Sequence, residues 1–219
     1  MALNFPVLLP QTGEALANYN YTDVSNGSGI EVYYLATTTS GGLLVGNTIY
    51  SHHVMSSGAL VASDALNLVL TKDFDVLFNV PKNIKGTAFL SIPWVTQSKT
   101  TPATIYTQLE VKLKKWNGTT ETVISQSSGA GQTTTVNVYN TMRMDTFEFP
   151  ISLTHFKKGE TLRLNVTGWG RIVSTGAGKI YIGHDPMNRA SGAYDPDFSF
   201  GTETTKAQLN IPFKIDIGG

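Results

Sequence analysis

Cysteine is absent from all 219 residues. No disulfide can brace the fold, no thiolate can act as a nucleophile, and Cys-based zinc clusters are excluded. Charge is scarce as well: Asp, Glu, Lys and Arg make up 15% of the chain, against roughly 25% in ordinary soluble domains. The 16 basic residues balance 16 acidic ones, so no global positive field exists and nucleic acid is not an expected partner. No run is long and apolar enough to cross a bilayer as a helix, and no membrane partner is expected. The opening stretch Met1–Pro10 is apolar but has no basic residue and two prolines, a poor secretory signal. Helical patterning is missing too. Ala59–Leu70 comes nearest, but Val61 and Val69 and the strand pattern beyond them argue against a helix.

What is present is alternation with a period of two, the mark of strands with one buried face. Leu109, Val111 and Leu113 alternate with Gln108, Glu110, Lys112 and Lys114. Leu162, Leu164 and Val166 repeat the pattern, as do Phe147, Phe149, Ile151 and Leu153, Phe74, Val76 and Phe78, and the C-terminal Leu209, Ile211, Phe213, Ile215 and Ile217. Further strands are predicted at 30–36, 48–54, 65–70, 84–92, 119–126, 133–138 and 179–183. Asn117-Gly118 predicts a type I′ hairpin turn, and Lys158-Gly159 another turn. Pro150 and Pro212 sit on outward faces, so their strands are expected at edges or bulges. The expected fold is all-β: a two-sheet antiparallel β-sandwich, jelly-roll-like in its order of strands, with an N-terminal arm. Residues 1–58 read as arm and leading strands and 59–219 as the main sandwich, with one continuous domain as the alternative.

Few residues suggest chemistry. His52 and His53 are adjacent, and on a strand they would point to opposite faces, so no metal site and no cofactor is expected. Gly183-His184-Asp185-Pro186, with Arg189, Asp195 and Asp197 beyond it, admits an ion-binding or acid–base loop. The favoured reading is structural: Asp185 opens a turn and Arg189 anchors it. No nucleophile is evident beside His184. Asp73 with Asp75, and Asp145 with Glu148, read as solvated strand faces rather than a glycosidase pair. Trp116, at a strand end, and Trp169, between two glycines, are candidates for stacking on a glycan, although tryptophan is usually mostly buried. The arm residues Leu3, Phe5, Val7, Leu8 and Leu9 are candidates for docking on a partner, with packing on the chain's own sandwich as the alternative.

Thr154-His155-Phe156-Lys157-Lys158-Gly159-Glu160-Thr161-Leu162-Arg163-Leu164, then Gly183-His184-Asp185-Pro186 and Ile211-Pro212-Phe213-Lys214-Ile215-Asp216, form an ordered set. Asp73-Phe74-Asp75-Val76 and Ile84-Lys85-Gly86-Thr87 precede them. The set resembles structural proteins of tailed viruses. The resemblance implies a non-enzymatic virion structural protein, a capsid decoration (cement) or minor tail subunit on the particle surface. Its partners would be the viral coat protein or its own copies, as a homo-oligomer or bound to the lattice. The alternative expectation is a carbohydrate-binding β-sandwich module used in host adhesion.

Overall fold

A computed structural model describes residues 17–18, 28–98, 103–129, 132–136, 140–173, 177–189 and 204–214. The described residues contain thirteen strands and no helix: β1 (Ala17–Asn18), β2 (Ser28–Thr37), β3 (Gly42–Val45), β4 (Met55–Ala59), β5 (Asn67–Leu77), β6 (Lys82–Ser98), β7 (Ala103–Trp116), β8 (Glu121–Ser128), β9 (Gln132–Val136), β10 (Asn140–Phe156), β11 (Thr161–Ile172), β12 (Gly178–Gly183) and β13 (Gln208–Lys214). The all-β expectation holds.

The strands join into one sheet rather than two, in the order β4-β12-β6-β13-β2-β3-β5-β11-β7-β8. β1 lies on β2, β10 on β6 and β9 on β7. Pairing is antiparallel except between β3 and β5, which meet in parallel over only two residue pairs, Gly42 with Phe74 and Leu43 with Asp75. This short seam links two halves whose apolar faces share one core. Leu109, Val111, Leu113, Leu162, Leu164, Val166 and Phe74 from one half meet Leu35, Leu90, Ile92, Phe149, Leu209 and Ile211 from the other. The strands before residue 59 belong to the same sheet, since β2 pairs with β13 and β4 with β12.

Long β6 organises one half. It carries β10 along one edge, and β13 then β12 along the other. Pro150 sits on β10, which pairs only with β6 among the described strands, so its missing N–H disrupts no second ladder. Pro212 is opposite an irregularity, because the β13–β6 register shifts between Asn210 and Phe213. Gly86 makes this possible. It has φ +126°, and a Cβ there would meet the Pro212 ring at 3.2 Å. The β10–β6 register also shifts between Ile151 and Thr154, opposite Gly86. That shift reverses the face presented by the end of β10, so Leu153, expected inside, is 60% exposed.

Local departures have similar causes. Residues 48–54 form a loop, not the expected strand. Its main chain is tied to the end of β2 by hydroxyls: Thr37 N–H donates to Ser51 Oγ (2.8 Å), and His53 N–H donates to Thr37 Oγ1 (3.0 Å). Asn117 keeps a negative φ, so the β7–β8 connection is not type I′. Instead Asn117 Oδ1 accepts from the N–H groups of Thr119 and Thr120 (3.0 and 2.8 Å), an Asx-type turn.

Candidate functional site

An open cleft of about 760 Å³ lies at the β3–β5 seam. Its walls are the 37–43 turn, His52 and His53, Ser56 on β4, residues 71–73 and Asp75 on β5, and Arg163 on β11. Gly42 permits the close approach of the walls: a Cβ there would fall 2.1 Å from the Asp73 carbonyl oxygen and 2.8 Å from Phe74 Cδ1.

Alternation places a buried histidine behind one lining residue, Ser56. On β12, His184 continues the inward face of Ile180 and Ile182, just past the strand end. On β4, Ser56 lies opposite Ile182, one diagonal step from His184. Ser56 Oγ and His184 Nε2 stand 2.8 Å apart, although 128 residues separate them in the chain. The His184 main chain is fixed by donation of its N–H to the Val54 carbonyl (2.9 Å). Its ring is fully buried against Phe74, with centroids 5.7 Å apart. Nδ1 has no hydrogen-bond partner among the described residues. Burial pushes the imidazole pKa down to about 4. The residue's own backbone and the Asp185 charge act the other way, and the Lys72 and His53 charges push it down further. The ring is therefore neutral across the physiological range. Lys72 has the same parity as Leu70 and Phe74 on β5 but, unlike them, is exposed, in the cleft lining. It has no hydrogen bond or ion pair among the described residues.

The carboxylates are committed elsewhere. Arg163 grips Asp75 bidentately, Nε to Oδ1 at 2.7 Å and Nη2 to Oδ2 at 2.6 Å, and also pairs with Glu121. Those bonds raise the guanidinium pKa further, against the opposing effect of burial. Asp73 accepts from Asn165 Nδ2 at 2.6 Å and stands 3.8 Å from Arg163. Asp145 accepts the Trp94 indole N–H at 2.8 Å. These acids form ion pairs and hydrogen bonds, not a facing catalytic pair.

The other sequence candidates are dispersed. His52 and His53 are both exposed, edge to face with centroids 4.3 Å apart, because the loop replaces the expected strand. Asp185 is buried and accepts from the Arg189 main-chain N–H (2.7 Å) and Nε (2.9 Å), the anchoring role expected of it. Trp116 is half-buried, with the Arg163 guanidinium over its ring at 4.9 Å. Trp169 is half-buried on β11, beside Leu68 on β5 and Gln108 on β7. Leu3, Phe5, Val7, Leu8, Leu9, Asp195 and Asp197 lie outside the described residues. Sequence reasoning missed Ser56 and Lys72. Nothing local marks either one, since their meaning comes from a partner far away in the chain.

No family model matches the chain, and no curated protein matches it. Solved structures do share the fold. An α-amino acid ester hydrolase superposes with a TM-score of 0.55 at 10% identity, covering 84% of this chain and 36% of its own. An aminopeptidase from a marine sediment Thaumarchaeota archaeon gives 0.53 at 7% identity, covering 84% and 37%. The chain thus spans little more than a third of either enzyme. At such identity the likeness is one of fold. It nevertheless corrects two expectations, the non-enzymatic virion structural protein with its carbohydrate-binding alternative, and the absence of enzymatic character. Both of these structures are hydrolytic enzymes by name, so the β architecture is by itself no sign of a virion subunit. His184, which seemed to lack a nucleophile, has Ser56 beside it.

Proposed function

We propose that this chain is the substrate-binding β-domain of a hydrolytic enzyme, and that the seam cleft receives a small carboxylic ester or its acid product. The observation that carries this reading is the Lys72 ammonium, exposed in the cleft with no hydrogen bond or ion pair among the described residues, in the same lining as Ser56, whose hydroxyl meets the buried His184. A cation without a counter-charge among the described residues, in a cleft whose carboxylates are engaged by Arg163 and Asn165, is available to an anionic or strongly polarised ligand oxygen. Thr39 and Ser40 also line the cleft and carry hydroxyls that can act as neutral donors, whereas the Thr38 hydroxyl is taken up by the Gly41 carbonyl. The occurrence of the fold within an ester hydrolase and an aminopeptidase supports the hydrolytic context.

The test is a titration of the protein with acetate, butyrate and benzoate, monitored by NMR at the Lys72 ammonium and His184 imidazole. Saturable shifts at both, weakened at least tenfold in Lys72→Met, are expected. Absence of saturable shifts for every carboxylate, or equal binding by Lys72→Met, overturns the reading.

A further inference from the structure

We propose that Ser56 and His184 act as a nucleophile–base pair that cleaves activated carboxylic esters bound in the cleft. This rests on the reading of the cleft as a substrate site and adds a covalent step to it. The geometry is that of an activated hydroxyl: Ser56 lines the cleft, and the hydrogen-bond partner of its Oγ, at 2.8 Å, is a ring nitrogen of the buried His184 just behind that lining. Backbone bonds and packing against Phe74 hold that ring in place, so the pair is pre-aligned.

In the first step Ser56 Oγ attacks the ester carbonyl carbon while His184 Nε2 takes the hydroxyl proton. The carbonyl oxygen becomes an alkoxide, with the Lys72 ammonium as a cation in the same cleft. Collapse breaks the bond between the carbonyl carbon and the alcohol oxygen, and His184 returns its proton to the departing alcohol. Water then adds to the acyl-serine with His184 again taking the proton; the carbon–Oγ bond breaks, His184 delivers that proton to Oγ, and the acid leaves with the Ser56 hydroxyl and the neutral imidazole restored.

The unpartnered Nδ1 limits the substrate class. No carboxylate braces the imidazolium, whereas in established triads loss of the acid lowers kcat by roughly 10⁴. Esters with good leaving groups need less help from the base, so they are the substrates assigned. The low basicity of the ring has a useful counterpart: it stays unprotonated, and able to accept, down to about pH 4.

The experiment treats the whole chain with p-nitrophenyl acetate and maps the modified peptide by mass spectrometry, with Ser56→Ala and Ser56→Cys in parallel. Expected are a nitrophenol burst and an acetyl group on Ser56, both absent in Ser56→Ala, with transfer to the thiol in Ser56→Cys. The burst rate should fall to half near pH 4, not near 6.5. Acetylation confined to lysines, no acetylation at all, or an undiminished burst in Ser56→Ala overturns the proposal. Should carboxylates bind while Ser56 stays unmodified, the covalent step fails and the binding site stands; should neither occur, both fail.

Discussion

Replacing His184 by Gln removes a buried base whose ordinary pKa is 6.5 and whose folded pKa is about 4. As pH falls through 6.5, the unfolded chain takes up a proton on this residue and the folded chain does not. The unfolded state then binds more protons, so stability falls with pH until about 4, where the folded ring titrates too. Each unit in that interval costs about 1.4 kcal/mol, so acidification from about pH 7 to about pH 5 should remove ~2 kcal/mol. The interval is well isolated. The lowered pKa values of Glu121, bonded to Lys114, and Glu160, bonded to Lys115, give stability that is lost only as pH falls below 4.5. Of the four histidines, His184 alone is buried. Urea unfolding monitored by tryptophan fluorescence at the two pH values measures the slope. His184→Gln, whose amide preserves a polar partner for Ser56, should lose most of it. A flat wild-type profile, or an undiminished slope in His184→Gln, would refute the argument. An NMR titration placing the imidazole near 6.5 would do so without any variant.

Contacts around the cleft lead to three more expected outcomes. Gly42→Ala should destabilise by about 1–3 kcal/mol through steric overpacking, since its Cβ meets the Asp73 carbonyl, and hydrogen exchange should speed up at the β3–β5 seam. Phe74→Ala should cost about 3–5 kcal/mol as a large core truncation and should raise the His184 pKa by admitting water, read by NMR. Arg163→Lys retains the charge but loses the two-point grip on Asp75 and the stack on Trp116. Because the pair is partly solvated, about 1 kcal/mol is expected, with a red shift in Trp116 emission against a Trp116→Phe control.

Much of the fold was legible where alternation is uninterrupted. Leu109, Val111 and Leu113 on β7, and Leu162, Leu164 and Val166 on β11, are at most 1% exposed, as their period-two spacing requires. Legibility failed where parity breaks. Leu153 lies beyond a register shift that only the positive-φ Gly86 opposite it explains, and nothing in Ile151–Thr154 itself announces the change of face. The loop at 48–54 carries strand-like residues, yet the hydroxyls of Thr37 and Ser51 compete successfully for its backbone. A single connected sheet was not foreseeable either, because its two halves are joined by only two residue pairs at Gly42 and Leu43.

The site was half legible. His184 and Asp185 stood out, and Asp185 does anchor Arg189. The partner of His184 could not be read, because Ser56 is an ordinary strand serine in a threonine- and serine-rich chain until β4 pairs with β12. Trp116 shows how a distant residue changes a side chain's surroundings. Its place at a strand end suggested an open face, but the outward alternation of β11 brings Arg163 over the ring.

The most direct test of the cleft is a crystal structure of the protein soaked in a short-chain carboxylate. The ligand is expected at the β3–β5 seam, its carboxylate within hydrogen-bond distance of Lys72 Nζ and in the same cleft as Ser56. A ligand found only elsewhere, with the seam cleft filled by ordered water, would contradict the assignment of this cleft as the substrate site.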